Sequence, residues 1–132
     1  MGARHTGGCL CGRVRFEVDG PLRGVVYCHC TQCRRQTGHF YAATDVSDAT
    51  LAIEGAGNVT WFRASDQARR GFCRTCGSAL VWKRDGSETT SLLAGSFDRS
   101  DALKGKSHIF VADKGSYYEI TDALPRFEAS SP

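Results

Sequence analysis

Seven cysteines dominate the chemistry that this 132-residue sequence can perform. They form three groups: Cys9-Leu10-Cys11, Cys28-His29-Cys30-Thr31-Gln32-Cys33, and Cys73-Arg74-Thr75-Cys76-Gly77. Their number is odd, and the first residues carry no apolar run typical of an export signal, so we expect reduced thiols in a cytoplasmic protein. Grouped reduced cysteines indicate metal ligands or reactive thiols.

The first and third groups together supply four thiols. On a strand, Cys9 and Cys11 would lie on one face and reach one ion together. Cys73 and Cys76, followed by Gly77, predict a tight turn that points two sulfurs at a metal. The four cysteines therefore predict a closed, structural zinc (Zn²⁺) site, and the alternative is four unrelated buried cysteines.

The middle group, Cys28, Cys30 and Cys33, supplies three thiols, and the sequence has no eighth cysteine to add. Three protein ligands with an open fourth position are typical of a catalytic or exchangeable zinc, so we expect this second ion to be open or labile. His29 is an alternative fourth ligand. On an extended segment it would point away from its neighbours, which favours a position on the surface or behind the ligands.

Basic residues accompany these groups. Arg34 and Arg35 follow the middle group, and the Arg69-Arg70 pair precedes Cys73. Such arginines could balance the thiolate charge and bind the carboxylates of a thiol ligand, or they could be solvated surface charges. His39 and His108 are interpreted as structural or near-ligand residues rather than as ligands.

The elements that must position these residues are mainly short strands. Alternation from Cys9 to Val18 predicts one strand with Leu10 on its apolar side. Further strands are predicted at 25–27, 40–43, 51–53, 59–63, 79–82 and 92–97, a short helix at 31–37, and a capped turn at 100–103. We expect a mainly β, single domain over residues 5–127 and a loose tail at 128–132.

Composition and charge argue against two other classes, nucleic-acid-binding proteins and membrane proteins. The net charge of +3 comes from 17 basic and 14 acidic residues mixed along the chain, so nucleic acid is not an expected partner. No uncharged apolar stretch approaches the roughly 18 residues of a membrane span, so no membrane association is expected. The sequence leaves the oligomeric state open.

Three segments closely resemble the glutathione-dependent formaldehyde-activating enzyme family, which includes proteins of the centromere protein V type. The segments are residues 7–12, residues 27–38 and residues 72–78, and residues 108–111 and 122–127 resemble the family's C-terminal part. The resemblance implies a β-tent fold of short antiparallel strands around two zinc ions. It implies that Cys9, Cys11, Cys73 and Cys76 bind the structural ion, and that Cys28, Cys30 and Cys33 bind the second.

The family's named activity is the condensation of glutathione with formaldehyde, which is classed as a carbon-sulfur lyase reaction in the reverse sense. The resemblance therefore implies a zinc-dependent lyase acting on thiol-aldehyde adducts, with glutathione as co-substrate and formaldehyde or a related small aldehyde as partner. The alternative is a non-catalytic zinc module that binds glutathione or a partner protein. A nucleic-acid-binding zinc ribbon is the third hypothesis, and strongly salt-dependent binding would favour it.

Overall fold

The computed structural model describes residues 3–131, and within them the predicted mainly β class is confirmed. The strands are β1 (Arg4–Gly8), β2 (Arg15–Asp19), β3 (Val25–Cys28), β4 (Tyr41–Ser47), β5 (Leu51–Glu54), β6 (Val59–Arg63), β7 (Ala68–Cys73), β8 (Ala79–Arg84), β9 (Thr89–Leu93) and β10 (Gly105–Ile109). One helix, α1 (Thr31–Thr37), follows β3 as predicted. Short 3-10 helices lie at Asp48–Thr50, Ala56–Asn58, Ala94–Ser96 and Val111–Asp113.

The strands form two sheets. The smaller has the order β1-β2-β5, and the larger has the order β10-β3-β4-β9-β8-β7-β6. Neighbouring strands pair antiparallel except for β10, which pairs parallel with β3. Because β10 is the last strand in the chain and lies beside β3, the C-terminal part of the protein is placed next to Cys28.

The predicted strand over Cys9–Val18 is wrong in its first half, because the strand begins only at Arg15. Residues 9–14 form a turn in which the Cys9 amide donates to the Val14 carbonyl at 3.0 Å. Gly12 adopts a φ of 83°, a left-handed conformation that glycine reaches at little cost. Leu10, predicted on the apolar side, lies at the tip of this turn and is 88% exposed.

Three strands had no clear signal in the sequence, namely β1, β7 and β10. Their sequences, RHTGG, ARRGFC and GKSHI, are rich in polar residues and glycine, so propensity does not reveal them. The strand predicted over 92–97 instead starts at Thr89 and ends at Leu93, because Ala94–Ser96 turns into a 3-10 helix. The turn at 100–103 is confirmed by a 2.9 Å hydrogen bond from the Leu103 amide to the Ser100 carbonyl.

Two groups of buried residues hold the sheets together. The larger one joins Phe16 and Val18 of the small sheet to Leu80 and Leu92 of the large sheet, and it includes Cys9 and Cys73. The smaller one consists of Cys33, Tyr41 and Ala43, with Cys28, Cys30, Trp82 and Leu93 packed against it. Each group of thiols therefore belongs to a different part of the core.

The chain after β10 folds back along that strand. The His108 amide donates to the Pro125 carbonyl, and the Phe127 amide donates to the His108 carbonyl, each at 2.9 Å. Of the predicted tail, Pro132 lies outside the described residues, while the Phe110 amide donates to the Ala129 carbonyl at 3.0 Å. The boundary of the domain at residue 127 stays a prediction. None of the helices in residues 3–131 combines the length and the apolar character needed to cross a membrane.

Candidate metal centres

Four of the predicted thiols come together in what we call the four-thiol centre. The sulfurs of Cys9, Cys11, Cys73 and Cys76 all lie within 4.8 Å of one another. The Cys11 sulfur is 3.6 Å from that of Cys9 and 3.7 Å from that of Cys73. A turn before β2 contributes the first pair, whereas the sequence predicted a strand there, and the end of β7 contributes Cys73.

Several N–H groups point at the sulfurs of the four-thiol centre. The Val14 amide donates to the Cys9 sulfur at 3.3 Å, and the Asn58 amide group donates to the Cys73 sulfur at 3.3 Å. The Ser78 side chain lies 3.2 Å from the Cys76 sulfur, and hydrogen bonding to Ser78 lowers the pKa of Cys76 to about 5. These donors stabilise thiolates, which are the form of cysteine that binds metals.

The other three thiols form the three-thiol centre, with sulfurs that also lie within 4.8 Å of one another. Cys28 ends β3, Cys30 is the N-cap residue of α1, and Cys33 lies inside α1. The Cys30 sulfur accepts a hydrogen bond of 3.2 Å from the Cys33 amide, so the start of the helix itself brings the two sulfurs together. Hydrogen bonds from the thiols of Cys28 and then Cys33 lower the pKa of Cys30 to about 2.

A buried arginine, Arg70 of β7, contacts the three-thiol centre. Its side chain is 4% exposed and donates to the Cys33 sulfur at 3.3 Å. It also donates to the side-chain oxygens of Gln32 at 2.8 Å and Gln36 at 2.9 Å, and it lies over the Tyr41 ring. A buried guanidinium needs a negative partner, so this contact favours an ionised sulfur at Cys33.

The other predicted arginines have different surroundings. Arg35 is exposed and Arg34 is half-buried, both on α1. Arg69 lies over the Trp61 ring at 4.6 Å and pairs with Asp85 at 3.6 Å, on a different part of the surface. Only Arg70, among these four residues, has a hydrogen bond to a cysteine sulfur. Binding of glutathione carboxylates by Arg34 and Arg35 stays a prediction.

His29 is buried rather than on the surface, with 1% of its area exposed. Its Nε2 lies 2.8 Å from Nδ1 of His108, and its Nδ1 is hydrogen-bonded to the Tyr118 hydroxyl. Burial, and then the nearby His108 side chain, lower the pKa of His29 to about 4, so the ring is neutral at pH 7. Both ring nitrogens face other side chains, which does not fit the alternative of His29 as a fourth ligand.

Two residues of this histidine cluster were missed by sequence reasoning, namely Tyr118 and Asp122. Nε2 of His108 lies 3.0 Å from each of the two carboxylate oxygens of Asp122. Tyr118 lies 89 positions after His29, and Asp122 lies 14 positions after His108, so no short spacing pattern connects either pair. Only the return of the chain along β10 brings them to the two histidines.

A cleft of about 580 Å³ lies beside the four-thiol centre. Cys9 and the ion pair between Arg15 and Asp98 line one part of it, and Gln36 and Thr37 of α1 line another. None of the three thiols of the three-thiol centre contributes to its walls. The cleft therefore does not mark the centre that the sequence predicts to be open.

The fold and the two groups of thiols define a mainly β protein in which each group could hold a metal ion. A relative, an uncharacterized lyase of Schizosaccharomyces pombe, is 23% identical over 124 residues, covering 93% of this chain and 90% of that protein. A crystal structure of a Rhodobacter sphaeroides protein matches with a TM-score of 0.59 and 30% identity, over 70% of this chain and 87% of that one.

The sequence profile of the glutathione-dependent formaldehyde-activating enzymes matches residues 4–113. The chain belongs to this family, which confirms the resemblance found in the sequence. The matched range includes all seven cysteines as well as His29, Arg70 and His108, but it ends before Tyr118 and Asp122.

Proposed function

We propose that the protein is a zinc-dependent carbon-sulfur lyase that acts on adducts of glutathione, or a similar thiol, with formaldehyde or another small aldehyde. Membership of the family and the lyase name of the relative support the class of activity. The observation that carries the proposal is the three-thiol centre, where three sulfurs converge and a buried guanidinium donates to one of them.

The residues present fit zinc at both centres. Sulfur ligands select soft or borderline ions, and sets of four and of three thiolates are usual for structural and open zinc sites. Donation from Arg70 to Cys33 fits an anionic sulfur in the three-thiol centre. When bound by Cys28, Cys30 and Cys33, zinc would supply a Lewis-acidic position that favours the thiolate form of a substrate thiol.

The protein's own side chains would bind the substrate and balance charge. Three thiolates around a divalent ion would leave a net negative charge, which the buried Arg70 would offset. Arg34 and Arg35 lie on the helix that carries Cys33, so they are suited to bind the carboxylates of glutathione by paired hydrogen bonds. The sulfur of the tripeptide would then be held close to the three thiols.

The reaction itself moves few atoms. In the lyase direction, the carbon-sulfur bond of a hydroxymethyl thioether breaks, and its electron pair stays on sulfur. The hydroxyl proton leaves as the carbonyl forms, and the sulfur is protonated again in the free thiol. The proposal requires reduced cysteines and therefore a reducing compartment such as the cytoplasm.

The test is an exchange measurement by NMR spectroscopy with ¹³C-formaldehyde and glutathione. These reagents form their adduct without a catalyst, so the quantity to measure is the rate of exchange between adduct and free aldehyde with and without the zinc-loaded protein. We expect acceleration in proportion to protein concentration, and we expect Cys30→Ser to abolish it. Glutathione binding without any acceleration would contradict the lyase proposal and favour the non-catalytic binding module.

Substitutions at surface arginines test substrate binding. We expect Arg35→Ala to raise the KM for glutathione with little change in kcat, since it would remove binding that ground state and transition state share. Arg13→Ala is the matched control, because Arg13 is also an exposed arginine but lies in the turn of the four-thiol centre. Equal effects of both substitutions would exclude a specific role for Arg35.

A further inference from the structure

A chain of hydrogen-bonded polar side chains, with two buried histidines at its centre, lies behind the three-thiol centre. It runs from the Asp122 carboxylate through His108 and His29 to the Tyr118 hydroxyl. His29 and His108 are 1% and 4% exposed. Polar groups that are this deeply buried are costly unless each has a partner, and here each ring nitrogen has one.

The strand register places this chain and the thiols on opposite faces of the large sheet. Cys28 pairs with Tyr41 on β4, and these two residues face the smaller core group. Tyr27, one residue earlier, pairs with His108 of β10, and the two rings stack 5.0 Å apart on the other face. His29 lies on that second face too, where its ring packs against Phe40 and Tyr118.

The direction of the hydrogen bonds follows from the carboxylate at one end. Asp122 accepts from Nε2 of His108, and with the proton on that nitrogen Nδ1 has a free lone pair. His29 must then donate from Nε2 to His108, which leaves Nδ1 of His29 as the acceptor for the Tyr118 hydroxyl. One carboxylate thereby fixes the tautomers of both rings and the orientation of the phenol.

In the sequence, His29 lies between two of the three cysteines, Cys28 and Cys30. Its backbone amide donates to the Ile109 carbonyl at 3.0 Å, and its ring is held at both nitrogens. Tyr118 belongs to the segment after β10, and Lys114 fastens it further by donating to the Tyr118 carbonyl and lying over its ring. Rotation of the backbone between Cys28 and Cys30 must therefore break hydrogen bonds to β10 and to the Tyr118 hydroxyl of this segment.

We propose that Asp122, His108, His29 and Tyr118 act as positioning residues that fix the spacing of Cys28 and Cys30, so that the C-terminal segment controls metal retention at the three-thiol centre. The proposal rests on the metal-binding role assigned above to the three thiols, and it does not depend on lyase activity. The four-thiol centre, whose cysteines lie in other elements, is the internal reference.

The first test compares two neighbouring tyrosines in the full-length, zinc-loaded protein. Native mass spectrometry follows zinc loss to a chelator, and a Cys33→Ser variant assigns the signal of the three-thiol centre. We expect Tyr118→Phe to speed loss from this centre about tenfold, because buried Nδ1 of His29 loses its partner, and to leave the four-thiol centre unchanged. The matched control is Tyr117→Phe, which removes only an exposed hydrogen bond of 2.8 Å to His39.

Equal rates of zinc loss in the two tyrosine variants would overturn the proposal. Faster loss from both centres would also overturn it, because that result indicates general loosening of the fold. This test measures zinc loss and not lyase activity. If the Tyr118→Phe variant loses zinc selectively but the wild-type protein does not accelerate the exchange of adduct and aldehyde, the lyase proposal is contradicted and this proposal is supported.

The second test reads the tautomers directly by ¹⁵N NMR spectroscopy of histidine-labelled protein. In the wild type we expect a protonated Nε2 and an unprotonated Nδ1 for both His29 and His108. Asp122→Ala removes the acceptor of the His108 N–H, so it should change the tautomer signals of both rings and speed zinc loss from the three-thiol centre, while it keeps the three aromatic rings of His108, His29 and Tyr118. A wild-type His108 with its proton on Nδ1, or unchanged signals in Asp122→Ala, would contradict the proposed direction of the chain.

Discussion

The two thiol centres differ in the kind of group that donates hydrogen bonds to their sulfurs. In the four-thiol centre, two turns bring the cysteines together, and the donors to sulfur are neutral groups such as the Val14 amide and the Asn58 side chain. In the three-thiol centre, a strand end and a helix start bring the cysteines together, and a buried cation, Arg70, donates to sulfur. A full set of four sulfurs closes the first centre, whereas the second combines fewer sulfurs with a fixed positive charge.

This difference indicates two separate tasks. The four-thiol centre joins the turn before β2 to the end of β7, and Cys9 and Cys73 are part of the main core. The three-thiol centre lies among residues that are close in sequence, 28–33, so a metal bound there would connect few distant parts of the chain. We therefore expect stability to depend on the first centre and chemistry to depend on the second.

The largest effect should come from removing one sulfur of the four-thiol centre. Cys73 is fully buried, and we expect Cys73→Ser to lower the free energy of unfolding by more than about 4 kcal/mol, as losses of structural metals do. Thermal denaturation measures this directly. Cys30→Ser is the comparison, and a loss of stability as large as that of Cys73→Ser would remove the distinction between the centres.

The second-largest difference between the two centres should appear when metal is removed. With a mild chelator or with excess glutathione, we expect native mass spectrometry to show loss of one zinc, or attachment of glutathione, while the second zinc stays bound. The reason is that an incoming ligand can join three sulfurs but must displace one of four. If both ions leave together, or neither responds, the three-thiol centre is as closed as the other.

Removal of the buried cation should have an intermediate effect. Arg70→Gln leaves the Cys33 sulfur and the oxygens of Gln32 and Gln36 without their donor, and we expect a loss of about 2–4 kcal/mol in stability together with weaker metal binding at the three-thiol centre. Urea unfolding and metal titration measure the two quantities.

The control for this substitution is Arg69→Gln, one position earlier on the same strand. Arg69 is partly exposed beside Trp61, so we expect a change within about 0.5 kcal/mol. If Arg69→Gln weakened metal binding as much as Arg70→Gln, the cause would be the loss of a positive charge in general and not the loss of the contact between Arg70 and Cys33.

The smallest effects should come from two glycines with positive φ, one at each centre. Gly12 has a φ of 83° in the turn of the four-thiol centre, and Gly38 has a φ of 85° at the end of α1. We expect each change to alanine to cost about 1 kcal/mol, because the left-handed conformation strains other residues. Gly57→Ala serves as the control, since a Cβ there meets nothing within 4 Å and φ is not positive.

The two glycine substitutions also sharpen the comparison. Gly12→Ala should loosen the metal of the four-thiol centre, and Gly38→Ala should loosen that of the three-thiol centre, as followed by zinc release to a chelator. Release from the opposite centre in either variant would show that the two centres are mechanically coupled.

Local spacing in the sequence was enough to find both groups of thiols. Cys73 and Cys76 are three positions apart with Gly77 after them, and Cys30 and Cys33 occupy the N-cap and third residue of a helix that was predicted over 31–37. Such short-range geometry is fixed by a few backbone angles, so residue type and spacing carry it. Prediction from a local pattern failed at Cys9–Val14. The alternation of apolar and polar residues there predicted a strand, but the chain turns at Gly12.

The sequence by itself therefore determined the mainly β class, the family and the division of seven cysteines into four and three. The tertiary structure alone decided which charged and polar groups serve the three-thiol centre. Arg70 reaches Cys33 because β7 and α1 pack together, and Tyr118 and Asp122 reach the histidines because the chain returns along β10. Arg70 and Cys33 are 37 positions apart in the sequence, and His29 and Tyr118 are 89 apart. Only the burial of apolar surface between the sheets and the C-terminal segment brings such distant residues into contact.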